Sequence, residues 1–257
     1  MKLLIKIGGA LLDDPGTCRR LAKEIANVHG LGHQVVVVHG GGKQMTRFLA
    51  ERGVESHFIN GLRVTSPDVI DAVVKVFAGS VNAQLVTAFR AAGTLPVGLS
   101  GISAGLVDAV QMDPQLGSVG KPVSSDGRLL NLLTQASYVP VVACIAGDAN
   151  GGIFNVNADQ MAVACAVSFG AEQLHFVTDV DGVRGETGQI EAVLDTIQSR
   201  ELIHRGIATG GMQAKLEAAM DALRKGVCEV RIAPGARAGI IGELLSTTPP
   251  GTRLVLG

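Results

Sequence analysis

Near the amino terminus, a strongly apolar run twice ends in consecutive glycines. Lys2–Ile7 is followed by Gly8-Gly9, and Gln34–His39 is followed by Gly40-Gly41-Gly42. Runs this rich in Leu, Ile and Val are typical of parallel strands that are covered on both faces. A helical pattern follows each glycine pair or triplet, and this alternation of strand, turn and helix predicts an α/β fold with a mainly parallel sheet.

The rest of the chain continues this alternation, with Asp14-Pro15 and Ser66-Pro67 as N-cap and first-turn proline of two helices. We expect helices over residues 14–30, 43–51, 66–79, 81–92, 129–137, 160–169, 196–205 and 211–225, and a short one after 238. We expect further strands over residues 95–99, 105–111, 138–145, 174–178, 229–233 and 252–256, with a hairpin over 113–128. A length of 257 residues suits two tightly joined lobes, and we place their boundary near Gly170.

Composition excludes several classes of protein. The net charge of −1 and the aromatic content of 3% argue against a nucleic-acid partner, which needs basic patches or stacking platforms. Four dispersed cysteines form no CxxC pair, and the histidines show no metal-ligand spacing, so reduced thiols and no protein metal site are expected. No run approaches the ~18 uninterrupted apolar residues of a membrane span. We therefore expect a cytoplasmic protein without a membrane partner.

Lys6 is embedded in the first apolar strand, just before Gly8-Gly9. A lysine is seldom buried without an anionic partner, although at a strand end it can also extend its ammonium group to water. Two glycines at the carboxyl end of a strand let backbone N–H groups approach an anion closely. The combination favours an anion-binding site.

Further polar groups stand where a strand or turn meets a helix. Asn155, Asn157 and Asp159 alternate before an apolar helix; Asp159 could be its N-cap, but capping leaves the two asparagines unexplained. Lys215 lies one turn inside a helix that begins with Gly-Gly. It could belong to an anion-binding site at this helix terminus or be an ordinary surface lysine. Arg63 precedes a capped helix, where it could bind a carboxylate or remain solvated.

The remaining patterns narrow the chemistry. Adjacent Asp179 and Asp181 could bind Ca²⁺, but the loop lacks the EF-hand spacing and its terminal glutamate. The chain contains no GxxxxGK[ST] motif, and no GxGxxG follows a strand. These absences argue against P-loop kinases and dinucleotide dehydrogenases. They leave open a phosphoryl-transfer enzyme that binds phosphate with a different glycine-rich turn.

Six segments together resemble the amino acid kinase family, and within it the acetylglutamate kinases. They are Lys6-Ile7-Gly8-Gly9, His39-Gly40-Gly41-Gly42, Gly61-Leu62-Arg63-Val64-Thr65, Asn155-Val156-Asn157-Ala158-Asp159, Thr178-Asp179-Val180-Asp181-Gly182-Val183, and Gly210-Gly211-Met212 with Lys215. The resemblance implies a three-layer αβα sandwich of two lobes, with acceptor binding and dimerisation in residues 1–170 and nucleotide binding in 171–257. It implies phosphorylation of the γ-carboxylate of N-acetyl-L-glutamate by ATP and Mg²⁺, the second step of arginine biosynthesis.

The resemblance also implies a role for each matching residue. Lys6 and Lys215 would stabilise the transferring phosphoryl group, and Asp159 would hold both lysines. Substrate binding is implied for Gly41, Gly42, Arg63, Asn155 and Asn157. Nucleotide binding is implied for Gly8, Gly9, Asp179, Val180, Asp181, Gly182, Val183, Arg184, Ile207, Ala208, Thr209 and Met212. Mg²⁺ would be held mainly by the nucleotide phosphates.

Three departures from the family pattern, Lys43, Ser103 and Gln213-Ala214, lie outside the phosphoryl-transfer set. Because the first strand begins at residue 2, we expect no amino-terminal helix of the kind that links arginine-inhibited members into hexamers. The expectation is an arginine-insensitive homodimer with the helix around 69–79 at its interface. Alternatives are a sister kinase for carrier-linked aminoadipate or carbamate, and a catalytically silent sensor of nucleotide or amino acid.

Overall fold

The computed structural model describes residues 1–247 and 249–257, and its centre is an eight-stranded sheet. The strand order is β12-β14-β13-β11-β1-β2-β8-β5, and neighbours pair in parallel except β13 with β14. These strands are β1 Lys2–Ile7, β2 Gln34–His39, β5 Leu95–Ser100, β8 Tyr138–Ala143, β11 Gln173–Thr178, β12 Val193–Asp195, β13 Glu229–Pro234 and β14 Thr252–Val255. The α/β fold with a mainly parallel sheet is confirmed.

Helices cover both faces of the sheet, which explains why its central strands are apolar throughout. On one side α1 packs with α4 and α9; on the other, α5, α6 and α8 form a layer in which α6 lies on β1, β2 and β11. The helices are α1 Pro15–Gly30, α2 Gly42–Ala50, α3 Pro67–Val73, α4 Asn82–Ala91, α5 Arg128–Gln135, α6 Ala158–Phe169, α7 Thr196–His204, α8 Gly210–Arg224 and α9 Ile240–Glu243. The three-layer sandwich is therefore present as predicted.

Four short strands form a small closed barrel beside the main sheet, in the order β10-β7-β6-β9. They are β6 Val107–Gln111, β7 Val119–Ser125, β9 Ile145–Gly147 and β10 Ile153–Val156, and a separate two-stranded hairpin consists of β3 Phe58–Ile59 and β4 Leu62–Arg63. The hairpin expected over 113–128 was wrong in extent, because that segment contains one strand, β7, whose antiparallel partner β6 ends before it at Gln111. The predicted strand over 138–145 was wrong in extent, because Ala143 ends β8 and Ile145 begins β9 in the barrel.

Residues Pro67–Ala91 form one helix in three parts, with a π-helical segment, Val74–Val81, between α3 and α4. The predicted break at Gly79 is therefore wrong. In the described part of the chain this is the one helix long and apolar enough to cross a membrane, with a mean hydropathy of 1.5. Its Val73, Val76 and Phe89 side chains are buried inside the protein, as in a core helix.

The boundary proposed near Gly170 coincides with the end of α6, where Gly170 is in the left-handed conformation with φ 71°. The main sheet continues across it, because β1 pairs in parallel with β11. Thr178 at the end of β11 is thereby placed beside the Gly8 turn at the end of β1. The division into two lobes stays a prediction.

Candidate active site

Lys6, Asp159 and Lys215 meet at the carboxyl end of β1. The Nζ atom of Lys6 lies 2.8 Å from Oδ1 of Asp159, and Nζ of Lys215 lies 3.2 Å from Oδ2. Lys215 donates an aligned hydrogen bond to Oδ2, whereas Lys6 contacts Oδ1 as an ion pair without that alignment. Lys6 and Asp159 are 6% and 5% exposed, so Lys6 is buried and paired rather than extended into water.

Helix α6 places Asp159, and Asn157 begins that helix. The Oδ1 atom of Asn157 accepts hydrogen bonds from the N–H groups of Asp159 and Gln160, at 2.9 and 3.3 Å. Asn157, and not Asp159, is therefore the N-cap, which frees the carboxylate of Asp159 to face the lysines. A carboxylate in the first turn is also favoured by the helix dipole.

The electrostatics of Asp159 result from two opposing effects. Burial alone would raise its pKa, but the charges of Lys6 and Lys215 outweigh burial and hold the pKa below its ordinary value. The carboxylate is thus ionised at neutral pH and unsuited to act as a general acid. Near the same site, burial raises the pKa of the Cys144 thiol to about 12, so this cysteine is not a thiolate nucleophile.

The two glycine turns lie side by side. A Cβ atom on Gly9 would stand 3.3 Å from the Gly42 nitrogen and 3.6 Å from the Gly41 nitrogen. A Cβ atom on Gly41 would stand 2.7 Å from the Phe77 ring, so a side chain there requires Phe77 to move. Close approach of backbone at Gly9 and of the Phe77 ring at Gly41, more than flexibility, explains glycine at these positions.

A pocket of about 180 Å³ opens beside these turns. Its walls include all five predicted substrate-binding residues together with apolar side chains: Gly40, Gly41, Gly42, Phe58, Gly61, Leu62, Arg63, Phe77, Val119, Cys144, Asn155, Val156, Asn157 and Ala158. An anion inside it would meet the amino terminus of α2, whose first N–H groups have no partner within the helix.

Arg63 is 8% exposed and is held in the pocket wall by three hydrogen bonds. Its guanidinium donates to the Ser56 hydroxyl, the Gly42 carbonyl and the Thr46 hydroxyl, and it stacks 4.7 Å from the Phe58 ring centre. A guanidinium has five N–H groups, so two remain for a ligand. The side-chain amide of Asn155 donates a hydrogen bond to the Thr65 hydroxyl at 3.1 Å, and this bond orients the side chain.

The residues predicted to bind nucleotide fall into three segments around this centre. Asp179, Val180, Asp181 and Arg184 are exposed after β11, whereas Val183 is buried and its N–H donates to Thr252. The N–H groups of Ile207 and Ala208 both donate to the Leu202 carbonyl just before α8. Gly8 donates its N–H to the Val177 carbonyl, whereas the N–H of Gly9 donates to no other group among the residues that the structure describes. Their nucleotide role stays a prediction.

Sequence reasoning missed several residues that shape the pocket. Phe77 was expected to be buried in a helix, which is confirmed, but its contact with Gly41 was not foreseen. Asn82 is 5% exposed and hydrogen-bonds to His39. An asparagine between Val81 and Leu85 in an otherwise apolar helix face was the available signal.

Known proteins resemble this chain over most of its length. The sequence profile of the amino acid kinase family matches residues 1–234. An acetylglutamate kinase from Solibacter usitatus is 59% identical over 99% of both chains, and one from Acidobacterium capsulatum is 43% identical over 96% of this chain and 95% of the other.

A solved structure of N-acetylglutamate synthase from Neisseria gonorrhoeae, complexed with coenzyme A and N-acetyl-glutamate, superposes with a TM-score of 0.88 at 27% identity. It covers 100% of this chain, which corresponds to 59% of the synthase chain. Profile, relatives and fold agree on one assignment: the chain belongs to the amino acid kinase family.

Proposed function

We propose that this chain is an acetylglutamate kinase. It transfers the γ-phosphoryl group of ATP to the γ-carboxylate of N-acetyl-L-glutamate and forms N-acetylglutamyl 5-phosphate, the second step of arginine biosynthesis. The observation that carries the proposal is the bridging of Lys6 and Lys215 by Asp159 beside a glycine-lined pocket. A relative named acetylglutamate kinase that is 59% identical over 99% of this chain supports the choice of acceptor.

In this assignment the pocket holds the acceptor. The N–H groups of Gly41 and Gly42 point the γ-carboxylate at the phosphoryl donor, while Arg63 binds the α-carboxylate through an N–H group that is not engaged in the pocket wall. Asn155 contributes at the same end of the acceptor. Asn157 acts through α6, because its side-chain oxygen is already engaged as the N-cap.

The lysine pair supplies the catalytic charge. A carboxylate with a pKa of about 4.3 is ionised at neutral pH, so the acceptor needs no general base. The barrier is repulsion between two anions and charge on the equatorial phosphoryl oxygens. Lys6 and Lys215 approach this charge from two sides, and Asp159 keeps their ammonium groups together while they are unliganded.

The residues present fit a nucleotide that brings its own Mg²⁺. Free N–H groups at the Gly9 turn and the two lysines are donors for phosphate oxygens. Among residues 1–247 and 249–257, no group of three or more His, Cys, Asp and Glu side chains is placed to hold a metal ion. Mg²⁺, bound mainly by the phosphates, would neutralise part of their charge. Residues 179–184, 207–209 and Met212 would enclose the nucleotide.

The division of labour between the lobes belongs to the same proposal. Lys6 and the acceptor pocket lie in residues 1–170, and Lys215 lies in 171–257. Only 39% of the most apolar stretch of the helix Pro67–Ala91 is buried within one chain, and Ala78, Gly79 and Ala83 are exposed. A homodimer that joins through this helix would cover these residues. We place the enzyme in the cytoplasm, with its two small-molecule substrates.

The proposal is tested by trapping the acyl phosphate with hydroxylamine in a reaction of purified protein, MgATP and N-acetyl-L-glutamate. Hydroxamate must form, and it must depend on both substrates. Carrier-linked aminoadipate and carbamate, the acceptors of sister kinases, serve as competitors in the same assay. Faster turnover with either one would reassign the acceptor.

The likeness to the synthase favours one alternative, a domain that binds the amino acid without phosphorylating it. The paired Lys6, Asp159 and Lys215 argue against this, because a binding site alone does not need two ammonium groups, one buried and one largely shielded, facing one carboxylate. Binding of acetylglutamate without ATP turnover would establish the alternative.

A further inference from the structure

His39 ends strand β2 directly before the glycine turn, and its side chain is fully buried. Its Nδ1 atom lies 2.9 Å from the Gly40 carbonyl oxygen, and its Nε2 atom lies 3.0 Å from Nδ2 of Asn82. A carbonyl oxygen can only accept, so Nδ1 carries the proton and donates to Gly40. The amide nitrogen of Asn82 can only donate, so Nε2 is the acceptor.

The orientation of the Asn82 amide is determined by a second partner. Its Nδ2 group also donates to the Val141 carbonyl at 2.9 Å, and a flipped amide would put two oxygens in contact there. Space for Oδ1 exists because residue 98 is glycine: a Cβ atom there would lie 2.2 Å from Oδ1. The chain of bonds thus runs from Val141 through Asn82 and His39 to Gly40.

This series of hydrogen bonds determines the orientation of the peptide between Gly40 and Gly41. In a trans peptide the carbonyl and the N–H point in opposite directions, so a carbonyl fixed toward His39 turns the Gly41 N–H away from it. Within the described part of the chain this N–H donates to no other group, and Gly41 lines the acceptor pocket. A hydrogen bond to the carbonyl also polarises the amide and strengthens its N–H as a donor.

We propose that His39 and Asn82 are positioning residues that hold the Gly40–Gly41 peptide with its N–H directed at the acceptor carboxylate. The inference rests on the proposed function for the identity of the acceptor. Neither side chain touches the substrate. Their effect is on acceptor affinity and alignment, through a peptide that is preorganised before binding.

A positively charged His39 would not fit this arrangement, because both ring nitrogens would then be donors and Nε2 would face the Asn82 amide. Burial accordingly lowers the pKa of His39 to about 4. The ring is therefore neutral at physiological pH, with its tautomer defined by two partners.

The test compares His39→Leu, His39→Asn and Asn82→Leu in the full chain. His39→Leu and Asn82→Leu should raise the KM for acetylglutamate about 10-fold, the loss expected for one well-aligned hydrogen bond, with little change in the KM for ATP. His39→Asn keeps an N–H near Nδ1 and should recover part of the affinity. His175→Leu is the matched control, a buried histidine of strand β11 whose ring contacts Gln173 instead.

Two readouts separate this inference from the proposed function. Nitrogen-15 spectra of the imidazole should show a neutral ring protonated at Nδ1, whatever the protein catalyses. Calorimetry should show weaker acetylglutamate binding in His39→Leu than in His175→Leu, even if no phosphoryl transfer occurs. An Nε2-protonated ring, or equal losses of affinity in the two variants, would overturn the role of His39; absence of hydroxamate in the unsubstituted protein would overturn the proposed function alone.

Discussion

Lys6 and Lys215 contact opposite oxygens of one carboxylate, although the first belongs to strand β1 and the second to helix α8. Two ammonium groups so close would repel each other without the charge of Asp159 between them. Lys6 is buried and Lys215 is largely shielded, so water screens this repulsion poorly. The three side chains together keep one uncompensated positive charge, which would attract an anion to this end of β1.

Removal of either lysine should therefore affect turnover far more than folding. We expect Lys6→Ala and Lys215→Ala each to lower kcat by more than ~100-fold, the size of loss seen when one donor to a transition-state charge is removed. Lys225→Ala, near the end of the same helix as Lys215, is the control and should keep normal turnover. The measurement is steady-state hydroxamate formation, with circular dichroism to verify the fold. Near-normal kcat in either lysine variant would contradict the role.

Asp159→Asn should destabilise the protein as well as slow it. The substitution keeps the shape of the side chain but leaves two shielded ammonium groups without their counter-charge. Loss of one partner of a buried ion pair lowers the free energy of unfolding by about 3 kcal/mol or more. Urea denaturation measures the change, with Asp71→Asn, which breaks the exposed pair with Lys75, as the control. Equal stabilities of the two variants would show that Asp159 does not hold the lysines.

Gly41→Ala should weaken acceptor binding through Phe77. The added methyl group would come within 2.7 Å of the ring, so either the glycine turn or the ring must shift. We expect the KM for acetylglutamate to rise about 10-fold or more. The reason is that overpacking costs ~1 kcal/mol or more, and here it would displace the glycine turn that binds the acceptor. The double variant Gly41→Ala/Phe77→Leu should regain part of the loss. Gly30→Ala, in open space on α1, is the control; failure of the double variant to improve on Gly41→Ala would contradict the steric explanation.

Two buried histidines should make the fold sensitive to acid. Burial lowers the pKa of His39 to about 4; burial, followed by the charge of Arg231, lowers that of His175 to about 3. Between an unfolded pKa of about 6.5 and these values, the unfolded chain binds protons that the folded chain does not. The free energy of unfolding should therefore fall as pH falls from 6.5 to 4, with each histidine contributing up to ~1.4 kcal/mol per pH unit. Urea titrations across this range should show that the free energy of unfolding depends less steeply on pH in His175→Gln than in the unsubstituted protein. An equally steep dependence in both would contradict the prediction.

Much of this architecture could be predicted from local sequence. Apolar runs ending in glycine identified β1 and β2, and the pairs Asp14-Pro15 and Ser66-Pro67 identified the starts of α1 and α3, where both caps are present. The sequence motifs alone predict Lys6, Asp159 and Lys215 as the catalytic group, and the structure brings these three side chains together. These features are local, or are carried by motifs, and need no knowledge of the fold.

The helix Pro67–Ala91 shows where such reasoning stops. In an α-helix, residues five apart point about 140° from each other, so Phe77 and Asn82 would not share a face. In the π-helical segment between them, hydrogen bonds span five residues, and both side chains reach the end of β2. Periodicity instead predicted a break at Gly79, because a change in helical pitch has no local residue signature.

The sequence by itself determined the alternation of strands and helices, the glycine turns and the identity of the charged residues, because these depend on side-chain chemistry and short-range spacing. The tertiary structure alone decided that Asn157 caps α6 in place of Asp159, that four short strands close into a barrel, and that Asn82 meets His39. Each of these depends on contacts between segments far apart in the chain, where the competing arrangements differ in packing and hydrogen bonding rather than in local preference.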